Sequence, residues 1–562
     1  MTNPVISHII HTNAYVFKLI QAPAQLLKRQ RTLMYLRNKY RRRGLVAASY
    51  PVGRSLGLAF ALLTGARLVS GQIQSPAQGT TSHAVQLPLS GRQSGGAAVR
   101  QSSTPPPGSS VNTVTTQIEV QGSFNGSVAG KNPPSGSLTL TFDEAVRRGL
   151  ENNLGIIGAD AASMQTRAQR LLARGSLLPN VSASLSENAA KVDLAAEGFS
   201  AGEFGNAASF QFPNVVGPFH YYDLHGSVQQ SLLDMTAIHN LRSADQSASA
   251  ANLDARQARE EVVLSVTAVY LQLMATTAEV EQQQVEVEYA EASYRLAQAQ
   301  ADVGNKAPIE ANRSLVELQT ERQRLRSQLG DLEKQKNQLA RMIGLPLGLD
   351  IRLAEKLKPQ PSESPALEEA VHRAWAQRQD LKASESQLRA AEEARKAAGA
   401  ERLPSASVAG QYGLEGTNPN QGASVFQASA SINIPIFQGG RVRADTLQAD
   451  AVVSERRAEL SDERGAVELD VRNAYIDLGV ADDQVKTAES NRELALQNLQ
   501  QSQDRFAVGV ANSVEVVNSQ ESLAAADHDY VSSLFSQYLA RITLAHAMGE
   551  AEKEVSGLFK QN

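Results

Sequence analysis

Helical apolar spacing in very long runs without proline dominates the chain and sets its expected architecture. Residues from about Met235 to Asp302 contain neither glycine nor proline, and those from about Arg441 to Ala507 contain no proline and two glycines. At 1.5 Å per residue, some 65 residues reach about 100 Å, far more than a globular domain needs. The first run ends at Val303-Gly304 and the second at Val508-Gly509-Val510, and each is followed by a shorter helical pattern of about half its length. In the first returning arm, Leu315, Leu318, Arg322, Leu325, Leu329, Leu332, Lys336, Leu339 and Ile343 are spaced 3 and 4 alternately. That predicts a coiled-coil seam interrupted by two charged residues. Two further half-length helices are expected at 141–177 and 366–401 and could stack beside the long ones. Thr141 with Glu144 three residues on predicts a capping box at the first of these.

These elements recur in register. Asp143-Glu144-Ala145 aligns with Glu368-Glu369-Ala370, and Pro179 with Pro404, both at an offset of 225. Val266 and Tyr270 align with Val471 and Tyr475, and Gly344 with Gly549, at an offset of 205. The chain is therefore expected to be an internal duplication, its first copy carrying about 20 extra residues in one segment. The expected divisions are an N-terminal extension and signal peptide at 1–71, a low-complexity flexible segment at 72–137, a first repeat at 138–348, a linker at 349–365, a second repeat at 366–550 and a tail at 551–562.

Where the offset changes, the pattern alternates with period two. Ala428, Ala430, Ile432, Ile434 and Ile436 share one face, while Gln427, Ser429, Ser431 and Asn433 share the other. Strands are expected at about 179–191 and 222–233 in the first copy and at about 404–414 and 425–437 in the second. Each copy thus supplies one hairpin of strands about ten residues long, which is enough to cross a bilayer at a tilt of about 45°. A soluble hairpin whose apolar face covers a small core fits the composition equally well. Four strands cannot close a membrane barrel, for which about eight is the practical minimum, so a membrane role requires several chains to donate strands.

Composition narrows the chemistry. The formal net charge of −4 over 562 residues points to no nucleic-acid partner. There is no cysteine, which excludes disulfides, thiolate metal sites and a cysteine-linked lipid anchor, and the nine histidines show no metal-ligand spacing. No catalytic constellation or cofactor motif is found. Gly126-Ser-Val-Ala-Gly130-Lys131-Asn132 falls one residue short of a phosphate loop and lacks its hydroxyl. Arg41-Arg42-Arg43, the apolar run to Leu63 and small residues near Ala66 or Gly71 have the order of a secretory signal peptide, and initiation at Met34 would give it an ordinary length. Elsewhere no stretch is expected to cross a membrane as a helix.

From Leu138 to Met548 the chain resembles the TolC-like outer-membrane efflux proteins. The resemblance rests on the duplication, on Phe142-Asp-Glu-Ala and Leu367-Glu-Glu-Ala, on Leu178-Pro179 and Leu403-Pro404, on the strand exits at Gln230 and Ile434, and above all on Arg505-Phe-Ala-Val-Gly-Val-Ala-Asn-Ser-Val-Glu-Val at the second tip. It implies a mainly α fold with a β-barrel part: a homotrimer whose 12-stranded outer-membrane barrel continues as a periplasmic α-barrel. It also implies a passive exit duct for efflux or type I secretion. The partners would be a periplasmic adaptor, an inner-membrane transporter and outer-membrane lipid, with no cofactor. Carried over by position, the closed aperture falls on Glu515, with Asn518 as a neutral second position and Glu310 as the first-copy counterpart. The adaptor-docking tips fall on Val303, Gly304 and Asn305 and on Arg505, Phe506, Val508, Gly509 and Val510. Phe506 replaces an aromatic hydroxyl that latches neighbouring helices in some members. The second tip is expected to carry the gate and the first to act mainly as docking surface. A coiled-coil scaffold protein without a pore is the alternative.

Overall fold

The computed structural model describes residues 82–89, 99–104, 115–130, 136–193, 196, 214–304, 307–359, 364–418, 420–507, 510, 513–555, 557 and 559, all within the compact unit Gly71–Asn562. The expected signal peptide lies outside the described residues. In chain order come β1 (Val99–Thr104), β2 (Thr115–Val120), β3 (Ser137–Leu140), α1 (Phe142–Asn152), α2 (Leu154–Gly175), β4 (Asn180–Asp193), β5 (Val215–Leu233), α3 (Met235–Asp302) and α4 (Pro308–Ile343). There follow β6 (Asp350–Leu353), α5 (Leu367–Gln377), α6 (Gln379–Ala400), β7 (Ser405–Gly416), β8 (Ala423–Asn433), α7 (Arg441–Ala507), α8 (Ser513–Ala547) and a short α9 (Ala551–Val555). The succession helix, helix, strand, strand, long helix, returning helix therefore occurs twice.

The two half-length helices are each broken where the sequence pattern predicts continuity. Asn153 and Arg378, 225 positions apart, both leave helical geometry, with ψ of 135° and 130°. The first break is held by polar contacts. The Asn153 carboxamide oxygen accepts from the Gly155 N–H at 2.8 Å, and its amide nitrogen donates to the Phe124 carbonyl at 2.7 Å. At the second, the Arg378 guanidinium forks onto Asp380 and reaches Asp470 on α7 at 2.8 Å. Thr141 caps α1 as predicted, accepting from the Glu144 N–H at 3.3 Å. Glu144 gives no reciprocal cap and instead binds Arg147 at 2.5 Å and Arg148 at 2.7 Å.

At 68 and 67 residues, α3 and α7 are the long arms. The leucine seam of α4 is only half used: Leu318, Leu332 and Leu339 are buried and Leu325 partly so, whereas Leu329 and Arg322 of the other row stay exposed. The row of Leu315, Arg322, Leu329, Lys336 and Ile343 is covered fully only at its end, where Ile343 is buried, whereas a regular coiled-coil partner would cover both rows along their length. The α7–α8 hairpin has a longer seam made of small residues, which the sequence reading missed. Val467, Val471, Ala474, Leu478, Ala481, Val485, Ala488, Ala495, Leu499 and Ser502 are all buried, spaced 3 and 4 except where the exposed Arg492 interrupts the seam between Ala488 and Ala495. One window of α3 is apolar and long enough to cross a membrane, contrary to expectation, but 72% of it is buried inside the fold.

The main core lies midway along the helices. Tyr270 of α3 is fully buried, and Phe142 and Phe559 pack edge-on there, with centroids 5.3 Å (Phe142–Tyr270) and 4.9 Å (Phe142–Phe559) apart. Tyr538 of α8 stacks on Phe559. The expected tail thus contributes to the core through Phe559 and α9. Parallel pairing of β3 with β6, Leu138 opposite Ile351, ties the starts of the two halves together. Part of the segment expected to be flexible is also built in. β1 and β2 form a hairpin. Residues 83–88 bond to distant side chains, with Ala84 N–H donating to Glu401 at 2.7 Å and Arg456 donating to the Pro88 carbonyl at 3.1 Å. Its polar backbone is satisfied by side chains 155 to 368 positions away, which composition cannot anticipate.

Candidate functional site: a two-faced sheet and the hairpin tips

The four strands between the helices form one antiparallel sheet in the order β4-β5-β7-β8. Pairing of β5 with β7, Ser227 opposite Gln411, joins the two hairpins. Two strand limits differ from those predicted. β5 begins at Val215, because Val215, Val216, Phe219 and Tyr221 suit a strand and pair with β4 up to Asp193. β8 ends at Asn433, leaving Ile434 and Ile436 outside it, since Pro435 offers no N–H to a ladder.

Register separates the faces. One carries Val181, Ala183 and Leu185, then Leu224 and Val228, then Val408, Tyr412 and Leu414, and finally Phe426, Ala428, Ala430 and Ile432. Its large side chains are exposed, Phe426 to 82%. The other carries serine, glutamine and asparagine that bond across strands. Ser182 meets Ser227 at 2.7 Å, Ser407 meets Ser431 at 2.9 Å, and the Gln411 amide donates to Gln427 at 2.9 Å. On β7 and β8, 12 and 11 residues long, such outward apolar side chains match a hydrocarbon layer about 30 Å thick; on the longer β4 and β5 the same face turns polar beyond Leu185 and Leu224, where His220 lies 3.7 Å from Glu187. Among the described residues the edges β4 and β8 have no neighbouring strand.

At the opposite end of the helices lie the tips. Gly304 takes φ of +78°, the left-handed conformation that closes the first turn. Val303 and Val510 are each 70% exposed, as apolar contact residues would be. Asn305, Val508 and Gly509 fall outside the described residues. Arg505, at the end of α7, has its carbonyl bonded by the Val510 N–H at 2.9 Å and its Nε 3.4 Å from Glu515 Oε1. Phe506 is half-buried and Asn518 exposed. Glu310 occupies the first turn of α4, as Glu515 does that of α8, and accepts from Arg313 at 2.9 Å. Both acidic aperture candidates are therefore matched with an arginine, a pairing that the local sequence pattern does not reveal. Just inside the second tip, Ser502 and Ser519 bond at 2.7 Å across the two arms.

Further up, the two helical hairpins meet along a seam of carboxylates. Gln283 and Arg324 both hold Glu321 at 2.5 Å, and Arg492 binds Asp527 at 2.5 Å. Burial, reinforced by Glu321 and Asp527, pushes the Glu286 carboxyl up to about 7. Burial beside Glu321 and Glu521 also raises Glu317, and a hydrogen bond to Glu279 raises His528. None of these groups was singled out from sequence, because each lies on a helix face that looks merely solvated. Among the described residues no group of histidine, aspartate and glutamate has the arrangement of a metal site.

Known proteins share this construction. The family model for outer membrane efflux proteins matches residues 145–345 and 370–550. A pyoverdine export outer membrane protein of Pseudomonas putida, OpmQ, is 25% identical over 427 residues, covering 73% of this chain and 85% of its own. Among solved structures, the Campylobacter jejuni CmeC outer membrane channel superposes with a TM-score of 0.63 at 16% identity, covering 78% of this chain and 95% of that one. The outer membrane protein VceC of Vibrio cholerae does so with 0.61 at 17%, covering 73% and 96%. With the family model matching more than half of the chain and both of its repeats, the protein belongs to the outer membrane efflux protein family, outer-membrane transport channels and not enzymes.

Proposed function

We propose that three copies of the chain close their sheets into a 12-stranded barrel in the outer membrane and bundle their hairpins into a periplasmic tube, a passive exit duct. The observation that carries this is the sheet itself. It has an exposed apolar face, a hydrogen-bonded polar face and two edges unpaired among the described residues, and closure with further copies satisfies all three at once. A polar interior is wide enough in such a barrel to hold water. Cargo would be handed over at the tips by a periplasmic adaptor and an inner-membrane transporter, with Val303, Gly304 and Asn305 and Arg505, Phe506, Val508, Gly509 and Val510 as docking residues. The pyoverdine export named for the OpmQ relatives favours small-molecule efflux over protein secretion. Heat-modifiable trimers extracted by detergent from the outer-membrane fraction support this; a soluble monomer would replace it with the scaffold alternative.

At the tip end, Glu515 is the aperture residue, with Asn518 beside it and Glu310 on the companion hairpin. The Arg505 contact offsets part of the Glu515 charge. Glu515→Gln should reduce block of single-channel current by cations added to the tip-side chamber. Unchanged block removes Glu515 from the constriction.

A further inference from the structure

The polar face of the sheet is neutral along most of its length and charged at one height only. From Asn180 to Asn188 on β4, its residues are asparagine and serine; on β8 they run Val425, Gln427, Ser429, Ser431 and Asn433. On β5 and β7 the same face carries Asp223, His225 and Glu415, with Asp223 directly opposite Glu415 in the ladder. Two carboxylates at facing positions repel each other. The His225 ring offsets this from one side, with Nδ1 3.0 Å from Asp223 Oδ1 and Nε2 3.0 Å from Ser184 Oγ. Asp223 is thereby fixed on the polar face, while Glu415 has no histidine beside it.

Position sharpens the picture. All four strands meet helices or their connections at one end, near Asn180, Leu233, Ser405 and Asn433, and Glu415 lies ten residues beyond Ser405. Ten residues rise about 34 Å along a strand, which leaves about 24 Å along the membrane normal at a 45° tilt. The charged group is thus near the outer boundary of the hydrocarbon layer, remote from the tips, with β4 and β5 continuing past it to Asp193 and Val215.

We propose that Asp223 and Glu415, with His225 positioning Asp223, form a charged collar that sets the ion preference of the duct near the outer boundary of the hydrocarbon layer. This rests on the trimeric-duct reading, in which the polar face lines the lumen. Three copies place six carboxylates around an otherwise uncharged wall, so cations are enriched there and anions depleted.

The test is bilayer recording of purified wild-type trimers under a KCl gradient, with the cation-to-anion permeability ratio taken from the reversal potential. Wild type should prefer cations, and the D223N/E415Q double variant should lose that preference several-fold. Each single variant should fall between them and serves in place of the double if the double does not yield trimers. Magnesium added on the turn side should depress wild-type current more than variant current. Magnesium added on the tip side should affect both alike, which separates the collar from Glu515. A conducting channel whose ratio and turn-side block are unchanged in the variants would overturn the collar alone. A wild type that forms no channel would overturn both the collar and the duct.

Discussion

Glu286→Gln tests whether the seam between the helical hairpins is under electrostatic strain. Glu286 on α3 faces Glu321 of α4 and Asp527 of α8, and burial together with those two charges lifts its carboxyl from 4.5 to about 7. Glu321 is held by Gln283 and Arg324, and Asp527 by Arg492, so neither partner charge is released to relieve Glu286. A rise from 4.5 to about 7 corresponds to roughly 3.4 kcal/mol at 1.36 kcal/mol per tenfold change in proton affinity. Glu286 is only half-buried, and solvent screening reduces this to about 1–2 kcal/mol per chain. The sign follows from proton binding: the folded protein holds the proton more tightly than the unfolded chain. The favourable contribution is therefore complete below pH 4.5 and is lost as pH rises towards 7. Glutamine keeps the shape and never ionises. The variant should match wild type near pH 4.5 and be more stable by about 1–2 kcal/mol above pH 8. Thermal denaturation at both pH values, with hydrogen exchange across the middle of α3, reads the difference. Equal melting at high pH, or a gain confined to low pH, would refute the strained seam.

Two further substitutions probe how the halves are joined. Arg378→Met removes the guanidinium that links the α5–α6 break to α7 and leaves Asp380 without its fork. It should cost roughly 2–3 kcal/mol, below the 3–5 of a fully buried pair because Asp470 is half-exposed, and adding Asp380→Asn should restore part of it in denaturant titrations. Gly344→Ala should lower the melting temperature through about 1–3 kcal/mol of strain. Its φ of +77° disfavours any side chain, and a Cβ there would lie 2.6 Å from the Val128 carbonyl oxygen.

Local chemistry alone made much of the fold legible. Freedom from proline over 235–302 and 441–507 gave the two long helices, and period-two alternation at Gln427–Asn433 gave a strand with a polar and an apolar face. Other features depended on residues far apart in sequence. Asn153 and Arg378 break helices whose apolar spacing runs straight through them, because polar partners from elsewhere in the fold outweigh one turn of helix. The candidate aperture was readable only through resemblance, and its arginines emerged only when Arg505 and Glu515 came together across a turn. The collar was written plainly as Asp223-Leu-His225, but only strand register sets Glu415 opposite it.

The sequence by itself determined the lengths and periods of the elements and their repetition, since these follow from the backbone and from nearest neighbours along the chain. Tertiary structure alone decided which leucine row of α4 is covered, that β5 pairs with β7, and that Glu286 is squeezed between Glu321 and Asp527. Desolvation and pairing depend on what a residue faces across space, and the periodicity of a helix or strand carries no record of its neighbour.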